Sequence, residues 1–546
     1  MRIRPRVLPL AIALSALALT VLRAHGQDTS GDIRWSTCTT DLVEAEWIDA
    51  LGERLQCGRM RAARDDDDPG MGTFDVGLVR VKAADSPARK GSLFFNFGGP
   101  GGNPLDFLPL YDYAWSLADA SEPVAAHRRR IADRFDFVAV IPRGLKGGTT
   151  YACTPSPAFA AAHDPTVDTD DDAWRGLVEA SDAFAKGCAD DIQPYVRTLQ
   201  HVRDMERARV ALGEPAMNFL GISYGTWVGA YYAAVFPEHT GRMVLDSSMN
   251  FAGTFEDQLD DTPAERHALF VGRALGPAMR EPGYGLGSDG DAIMRRLRAM
   301  PHRAREAWAS RIDDAAQLAA ALTLADWLRE QGTPDTAPLI ERIERHRFSD
   351  VPALDDDIRA AAMAFVDRPH PSPADMAVYY GVVCGDTPWR KTDDDLRVVA
   401  RRIAGTTPEA NGDGVVAGLV CRRWSSAPLA RPPHDALARA TPLLMVQAEF
   451  DPATPLAIAR KAFAATPDAY MVVAEGMYGH GVFGMTDTPC IENAVGNYLL
   501  DGVLPAAHET RCDVATSRSS SHAKTSLRGP DEAAVRAELA RRLRLL

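Results

Sequence analysis

Apolar and polar residues alternate from Phe74 to Lys82, which predicts a half-buried strand. Ser92–Phe97 and Phe135–Ile141 are short, nearly continuous apolar runs, the pattern of strands covered on both faces. Met217–Leu220 and Arg242–Leu245 predict two further short strands. Between them Tyr224–Phe236 is apolar with small residues and predicts a buried helix. Strands that alternate with helical stretches point to a mostly parallel sheet flanked by helices.

The pattern changes after residue 251. Residues 252–437 are rich in Ala, Arg and Asp and carry helical periods, such as Asp314–Leu328 and Asp355–Phe365, without a strong strand run. Strand signals return at Pro442–Gln447 and Ala469–Ala474, followed by a predicted helix over Cys490–Leu500. The expected organisation is a sheet domain in two parts, 27–251 and 438–512, split by a helical cap at 252–437. Residues 513–546 read as a polar linker and a short helix, with Val535, Leu539 and Leu543 as its apolar stripe. This helix either docks on the body or frays.

The beginning of the chain adds a different expectation. Arg2, Arg4 and Arg6 precede the apolar run Val7–Val21, and Ala24-His25-Gly26 supplies small residues for cleavage. That arrangement predicts a signal peptide over residues 1–26 and an exported protein, periplasmic or extracellular, rather than a retained anchor. No stable membrane association is then expected. The 546 residues are 46% apolar and 25% charged with a net charge of −14, which excludes wholesale disorder and argues against a nucleic-acid binder. Oligomeric state stays open.

Export makes disulfides the default for the eight cysteines. None shows C-x-x-C spacing, which argues against a zinc ribbon or a dithiol redox motif. Many pairings remain open. The pairing of neighbours closes the shortest loops and is the one expected here: Cys38–Cys57, Cys153–Cys188, Cys384–Cys421 and Cys490–Cys512. The acidic run Asp65-Asp66-Asp67-Asp68 lacks ligand periodicity and reads as a solvated loop rather than a calcium site.

Gly221-Ile222-Ser223-Tyr224-Gly225 matches G-x-S-x-G between a predicted strand and a predicted helix, the setting of a nucleophile elbow. Such a serine needs a general base and the base needs an orienting acid, which follow in chain order. Asp451 lies just past the strand Pro442–Gln447, between Glu449 and Pro452. His480 lies past the strand Ala469–Ala474, between two glycines. Glu449 is the rival acid, and His508 and His522 are rival bases. The oxyanion formed in acyl transfer needs backbone N–H donors already in place. Tyr224 supplies one, and the loop Phe97-Gly98-Gly99-Pro100-Gly101-Gly102 supplies the second, from Gly99 or, failing that, Gly98. The loop has no G-K-[ST] sequence, which argues against a phosphate site.

These motifs resemble the secreted α/β-hydrolases of the tripeptidyl-aminopeptidase-like group, relatives of the prolyl aminopeptidases. The resemblance runs over nearly all of the chain to about Asp513. It is carried by Ile33-Arg34-Trp35, the GGPGG loop at 98–102, Leu212-Gly213-Glu214 through Thr226, Phe236-Pro237, Val244-Leu245-Asp246, Cys384-Gly385-Asp386 and Tyr498–Gly502 with Leu504-Pro505. Two positions depart from the pattern: Ile141-Pro142-Arg143-Gly144 where the group usually has Asp-Pro-Arg-Gly, and Phe97 where prolyl aminopeptidases carry His.

The resemblance implies an α/β-hydrolase fold with its cap inserted between the strand ending near Asp246 and the strand preceding Asp451. It implies a serine hydrolase that removes residues or short peptides from free peptide N-termini, with a peptide or small acyl substrate and no metal or organic cofactor. An esterase or amidase acting on a small molecule is the rival enzyme, and a non-catalytic binding protein the rival outside enzymology. An exopeptidase must also pair the substrate ammonium with a carboxylate. Asp386 is a candidate for that role, with solvation at the surface as its alternative.

Overall fold

The computed structural model describes residues 32–331, 336–366, 373–428, 434–514 and 532–543. The expected signal segment, most of the linker and His522 lie outside the described residues. One sheet of ten strands organises the protein: β1 (Arg34–Thr37), β2 (Leu55–Ala63), β3 (Thr73–Val81), β4 (Gly91–Asn96), β5 (Phe135–Val140), β6 (Met217–Ile222), β7 (Thr240–Asp246), β8 (Leu444–Phe450), β9 (Tyr470–Tyr478) and β10 (Glu509–Asp513). Their order is β1-β2-β3-β5-β4-β6-β7-β8-β9-β10. The pairs among β1, β2, β3 and β5 are antiparallel, and every pair from β5–β4 through β9–β10 is parallel.

The parallel part explains the apolar runs. Every residue of β4 and β5 is buried, because helices cover the sheet. The helices form two groups. Leu108–Ser116, Ala126–Arg134, Pro489–Asp501 and Glu532–Leu543 pack among themselves, as do Thr198–Ala211 and Tyr224–Val235. The stripe Val535, Leu539 and Leu543 of the last helix is buried in the main core, so this helix docks on the body.

Between β7 and β8 the described chain is helical and contains no strand, in agreement with the expected insertion. It is not uniform. The part from Phe270 to Phe365 owns a separate core that includes Leu297, Leu318, Leu322 and Ile343. The helix Pro373–Asp386 instead buries Ala377, Val378 and Val383 in the main core.

Three strands are not apparent from local pattern. β1 and β2 lie in the stretch read as turn-rich. β10 has only Cys512 buried, and its conformation is set by parallel pairing with β9 rather than by its own residues. The four neighbour disulfides are present, and Cys490–Cys512 joins the helix Pro489–Asp501 to β10. The acidic loop is not simply solvated: Asp66 pairs with Arg207, and Arg203 reaches Asp66 at 3.5 Å and Asp67 at 3.6 Å.

Candidate active site

Parallel strands end at a common edge, and the sequence candidates lie just beyond those ends. Ser223 directly follows β6, Asp451 directly follows β8, His480 is two residues past β9, and Gly98 and Gly99 follow β4 within three residues. Sheet topology therefore collects residues that are far apart in the chain.

Ser223 is the N-cap of the helix Tyr224–Val235 and has φ 60° and ψ −124°, a strained conformation for a non-glycine residue. The flanking glycines permit this turn. A Cβ on Gly221 would lie 2.3 Å from the Gly225 carbonyl oxygen, and one on Gly225 would lie 2.3 Å from that of Asn96. Ser223 is partly exposed, whereas the residues on either side of it are buried. Its N–H donates to the Asp246 carbonyl at 3.1 Å, which fixes the elbow to β7.

His480 Nδ1 stands 3.0 Å from both carboxylate oxygens of Asp451. Asp451 is held in turn: Oδ1 accepts the N–H groups of Ala453 and Thr454 at 2.9 and 2.8 Å, and Oδ2 accepts the Thr454 hydroxyl at 3.1 Å. Both residues are buried. Burial by itself lowers the His480 pKa, but Asp451 beside it, with a further contribution from Asp246, holds it above the ordinary histidine value.

Gly98 N–H donates to Asn96 Oδ1 at 3.1 Å, so it is already engaged. Pro100 has no N–H. That leaves Gly99, whose N–H has no acceptor among the described residues, beside Tyr224 as the second available donor. Gly98 is needed for close approach: a Cβ there would lie 2.8 Å from Ser223 Cβ, and its φ is 101°. Asn96 is itself supported by His201, 3.2 Å from Asn96 Nδ2. Burial, with Arg143 nearby, drives the His201 pKa down to about 3, so its imidazole is neutral and can accept that bond. Asn96 and His201 carry no motif that marks them in the sequence.

The rival residues lie elsewhere. Glu449 accepts the N–H of Gly476, and His508 stacks on Tyr470. Asp386 fits neither reading made for it. It is buried, and its carboxylate accepts the Thr198 N–H at 3.0 Å, the Thr198 hydroxyl and Trp227 Nε1 at 3.1 Å. It thus ties the helix Pro373–Asp386 to the body and is committed to that role. Arg143 of the divergent Ile141–Gly144 segment forms a buried ion pair with Asp204 and lines a small cavity with Pro100, Gly101 and Tyr224.

The insertion reaches the same edge. Arg266 donates to the Pro452 carbonyl at 2.9 Å, and the Arg273 guanidinium lies 4.4 Å from the ring centre of Tyr478. The insertion therefore touches the acid loop and the end of β9 directly.

A family model described as an alpha/beta hydrolase fold matches residues 117–315, and one described as a TAP-like protein matches residues 408–512. The fold is that of an α/β-hydrolase, and its C-terminal part is similar to TAP-like proteins. The chain is 28% identical over 508 residues to the tripeptidyl aminopeptidase of Streptomyces coelicolor, covering 89% of the chain and 87% of the relative. It is 25% identical over 261 residues to the serine protease Hip1 of Mycobacterium tuberculosis, 45% of the chain and 47% of that protein. Carboxylesterase B of Mycobacterium tuberculosis is 26% identical over 505 residues, 86% of the chain and 88% of the relative.

Proposed function

We propose that the protein is an exported serine peptidase that releases short peptides from free peptide N-termini through an acyl-enzyme. The carrying observation is the His480–Asp451 pair, with 3.0 Å from Nδ1 to each oxygen, at the sheet edge where strained Ser223 emerges. In this reading Ser223 Oγ attacks the scissile carbonyl while His480 Nε2 takes its proton. Asp451 keeps the Nδ1–H tautomer and stabilises the imidazolium. The Tyr224 and Gly99 N–H groups receive the developing oxyanion. His480 then protonates the leaving amine, and water repeats the sequence on the ester.

The nearly full-length similarity to a tripeptidyl aminopeptidase supports the peptide N-terminus as substrate. The four disulfides support export. A second reading, a carboxylesterase, has its own support in the similarity to carboxylesterase B. With Asp386 committed elsewhere, the carboxylate that would receive the substrate ammonium is not among the candidates read from the sequence.

A fluorophosphonate probe and paired substrates test the proposal. Ser223 should be labelled, and labelling should disappear in Ser223→Ala. A free tripeptidyl amide should be turned over much faster than its N-acetylated form. Equal rates on the two, or faster hydrolysis of short-chain esters, would move the assignment to the esterase.

A further inference from the structure

Among the described residues, Ser223 and Ser247 are the non-glycine residues with positive φ, at 60° and 57°. They follow the ends of the adjacent strands β6 and β7, and Asp246 lies between them in space. Asp246 pairs across the sheet with Ile222, the residue before the nucleophile. Its carbonyl accepts the Ser223 N–H at 3.1 Å. Its carboxylate points to the histidine loop, where Oδ1 accepts the Val482 N–H at 2.9 Å and Oδ2 accepts the Phe483 N–H at 2.8 Å. Ser247 completes the attachment, since its hydroxyl accepts the Gly481 N–H at 2.8 Å. Three consecutive N–H groups after His480 are thus held from the end of β7.

We propose that Asp246 is a positioning residue that fixes the distance between the Ser223 elbow and the His480 loop, holding the first through its carbonyl and the second through its carboxylate. The proposal rests on the serine-hydrolase reading above. A helical or strand scaffold does not itself set this distance: Ser223 follows β6 and His480 follows β9, with two strands between them. A buried carboxylate is costly unless its hydrogen bonds are satisfied, and here the donors are backbone groups of the loop it positions.

The groups acting on Asp246 are few. Burial pushes its carboxyl up to about 7, the Phe483 and Val482 N–H groups and His480 draw it down, and Asp451 raises it. Tyr111, from the helix Leu108–Ser116, also feels both Asp246 and Glu492, with Arg128 opposing them. Asp246 in turn favours the charged form of His480. Loss of its negative charge should therefore shift the acid limb of activity to lower pH, a change that a purely structural role would not produce.

The test compares Asp246→Asn, Ser247→Ala and Asp246→Glu in the full chain. Readouts are the rate of fluorophosphonate labelling, kcat and KM on a free tripeptidyl amide from pH 5 to 9, and Tm. Asp246→Asn should slow labelling and kcat by about 10- to 100-fold with little change in KM, a fraction of a general base's worth, and move the acid limb down. Ser247→Ala removes one bond without a charge, so it should cost less and leave the limb in place. Asp246→Glu keeps the charge but displaces it, and should slow the reaction with the limb near its wild-type position.

Wild-type rates in Asp246→Asn, or slower rates with an unmoved limb, overturn the inference. Failure of both Asp246 variants to fold also overturns it, in favour of a folding role. Failure of the wild-type protein to react with the probe instead removes the serine-hydrolase reading.

Discussion

Leu543, in the last turn of the C-terminal helix, lies against Gly481, the residue after His480: a Cβ on Gly481 would stand 3.3 Å from Leu543 Cδ1. The helix is anchored by more than its apolar stripe. Arg128, almost fully buried, pairs with Glu532 at 2.9 Å and with Glu492 at 2.9 Å, and Glu492 accepts the Gly484 N–H at 3.1 Å. Arg542 donates to the Asp106 carbonyl at 3.0 Å. The helix thus backs the loop that carries His480, from a part of the chain beyond the residues matched by the TAP-like family model.

Ending the chain after residue 514 should lower both Tm and activity. Full exposure of a buried Val or Leu costs about 1.5–3 kcal/mol, offset by the entropy regained when the helix is no longer ordered. The expected net result is a fall in Tm of a few degrees with a larger proportional loss of kcat. Thermal melts and steady-state kinetics check this, and unchanged kinetics in the truncated protein would separate the helix from the site.

Ser223→Ala should abolish turnover while Tm stays near wild type, because the side chain is partly exposed and its loss leaves no large cavity. Asp451→Asn should cost about 10³–10⁴-fold in kcat through loss of the imidazole tautomer and charge. Members of the proposed triad should act as a unit, so adding Asp451→Asn to Ser223→Ala should cost little more. Single-turnover assays of the three proteins test this, and near-native rates in either single variant would refute the triad.

Gly98→Ala should be nearly as damaging, though no side chain is lost. A methyl group there would sit 2.8 Å from Ser223 Cβ, and its φ of 101° is unfavourable for alanine. Displacement of the loop misplaces the Gly99 N–H, and a lost oxyanion donor costs about 10²–10³-fold in kcat. KM should change far less than kcat.

Stability should rise as pH falls from 8 to about 5.5. Burial raises the carboxyl groups of Asp112 and Glu492 to about 7 and that of Asp386 to about 6. An acid whose pKa is higher folded than unfolded binds its proton more tightly in the folded state. Its stabilising effect is complete below the unfolded value and is lost as pH rises through the folded value. The raised His480 follows the same sign. Tm measured across this range checks the expectation, and a Tm maximum above pH 8 would contradict it.

Reduction of Cys490–Cys512 should release β10 before the rest of the sheet. The bridge connects the helix Pro489–Asp501 to an edge strand in which Cys512 alone is buried. A double Cys490→Ser/Cys512→Ser variant should lose up to about 2–4 kcal/mol, the usual worth of a native bridge. Hydrogen exchange should show the loss concentrated in Glu509–Asp513.

The sequence by itself determined what local chemistry can dictate. Apolar runs such as Phe135–Val140 record burial on both faces of a parallel sheet, and the Gly221 and Gly225 spacing records a backbone approach that admits no Cβ. Ser223, Asp451, His480 and the 98–102 loop were legible because each follows a readable strand. Strands β6 to β9 end later than the patterns suggested: β8 runs to Phe450, which places Asp451 immediately at its end.

Tertiary structure alone decided the rest, because those features depend on partners distant in the chain. β10 is a strand only through pairing with β9. Asp386 looked like a surface or substrate-facing acid, yet Thr198 and Trp227 enclose it. The hold of Asp246 on the Val482 and Phe483 N–H groups crosses more than 200 residues, and the docking of the last helix depends on Arg128, about 400 residues earlier. Period and turn chemistry act within a few residues. Hydrogen-bond satisfaction and the burial of charge act between elements, and they are settled only when the sheet order brings those elements together.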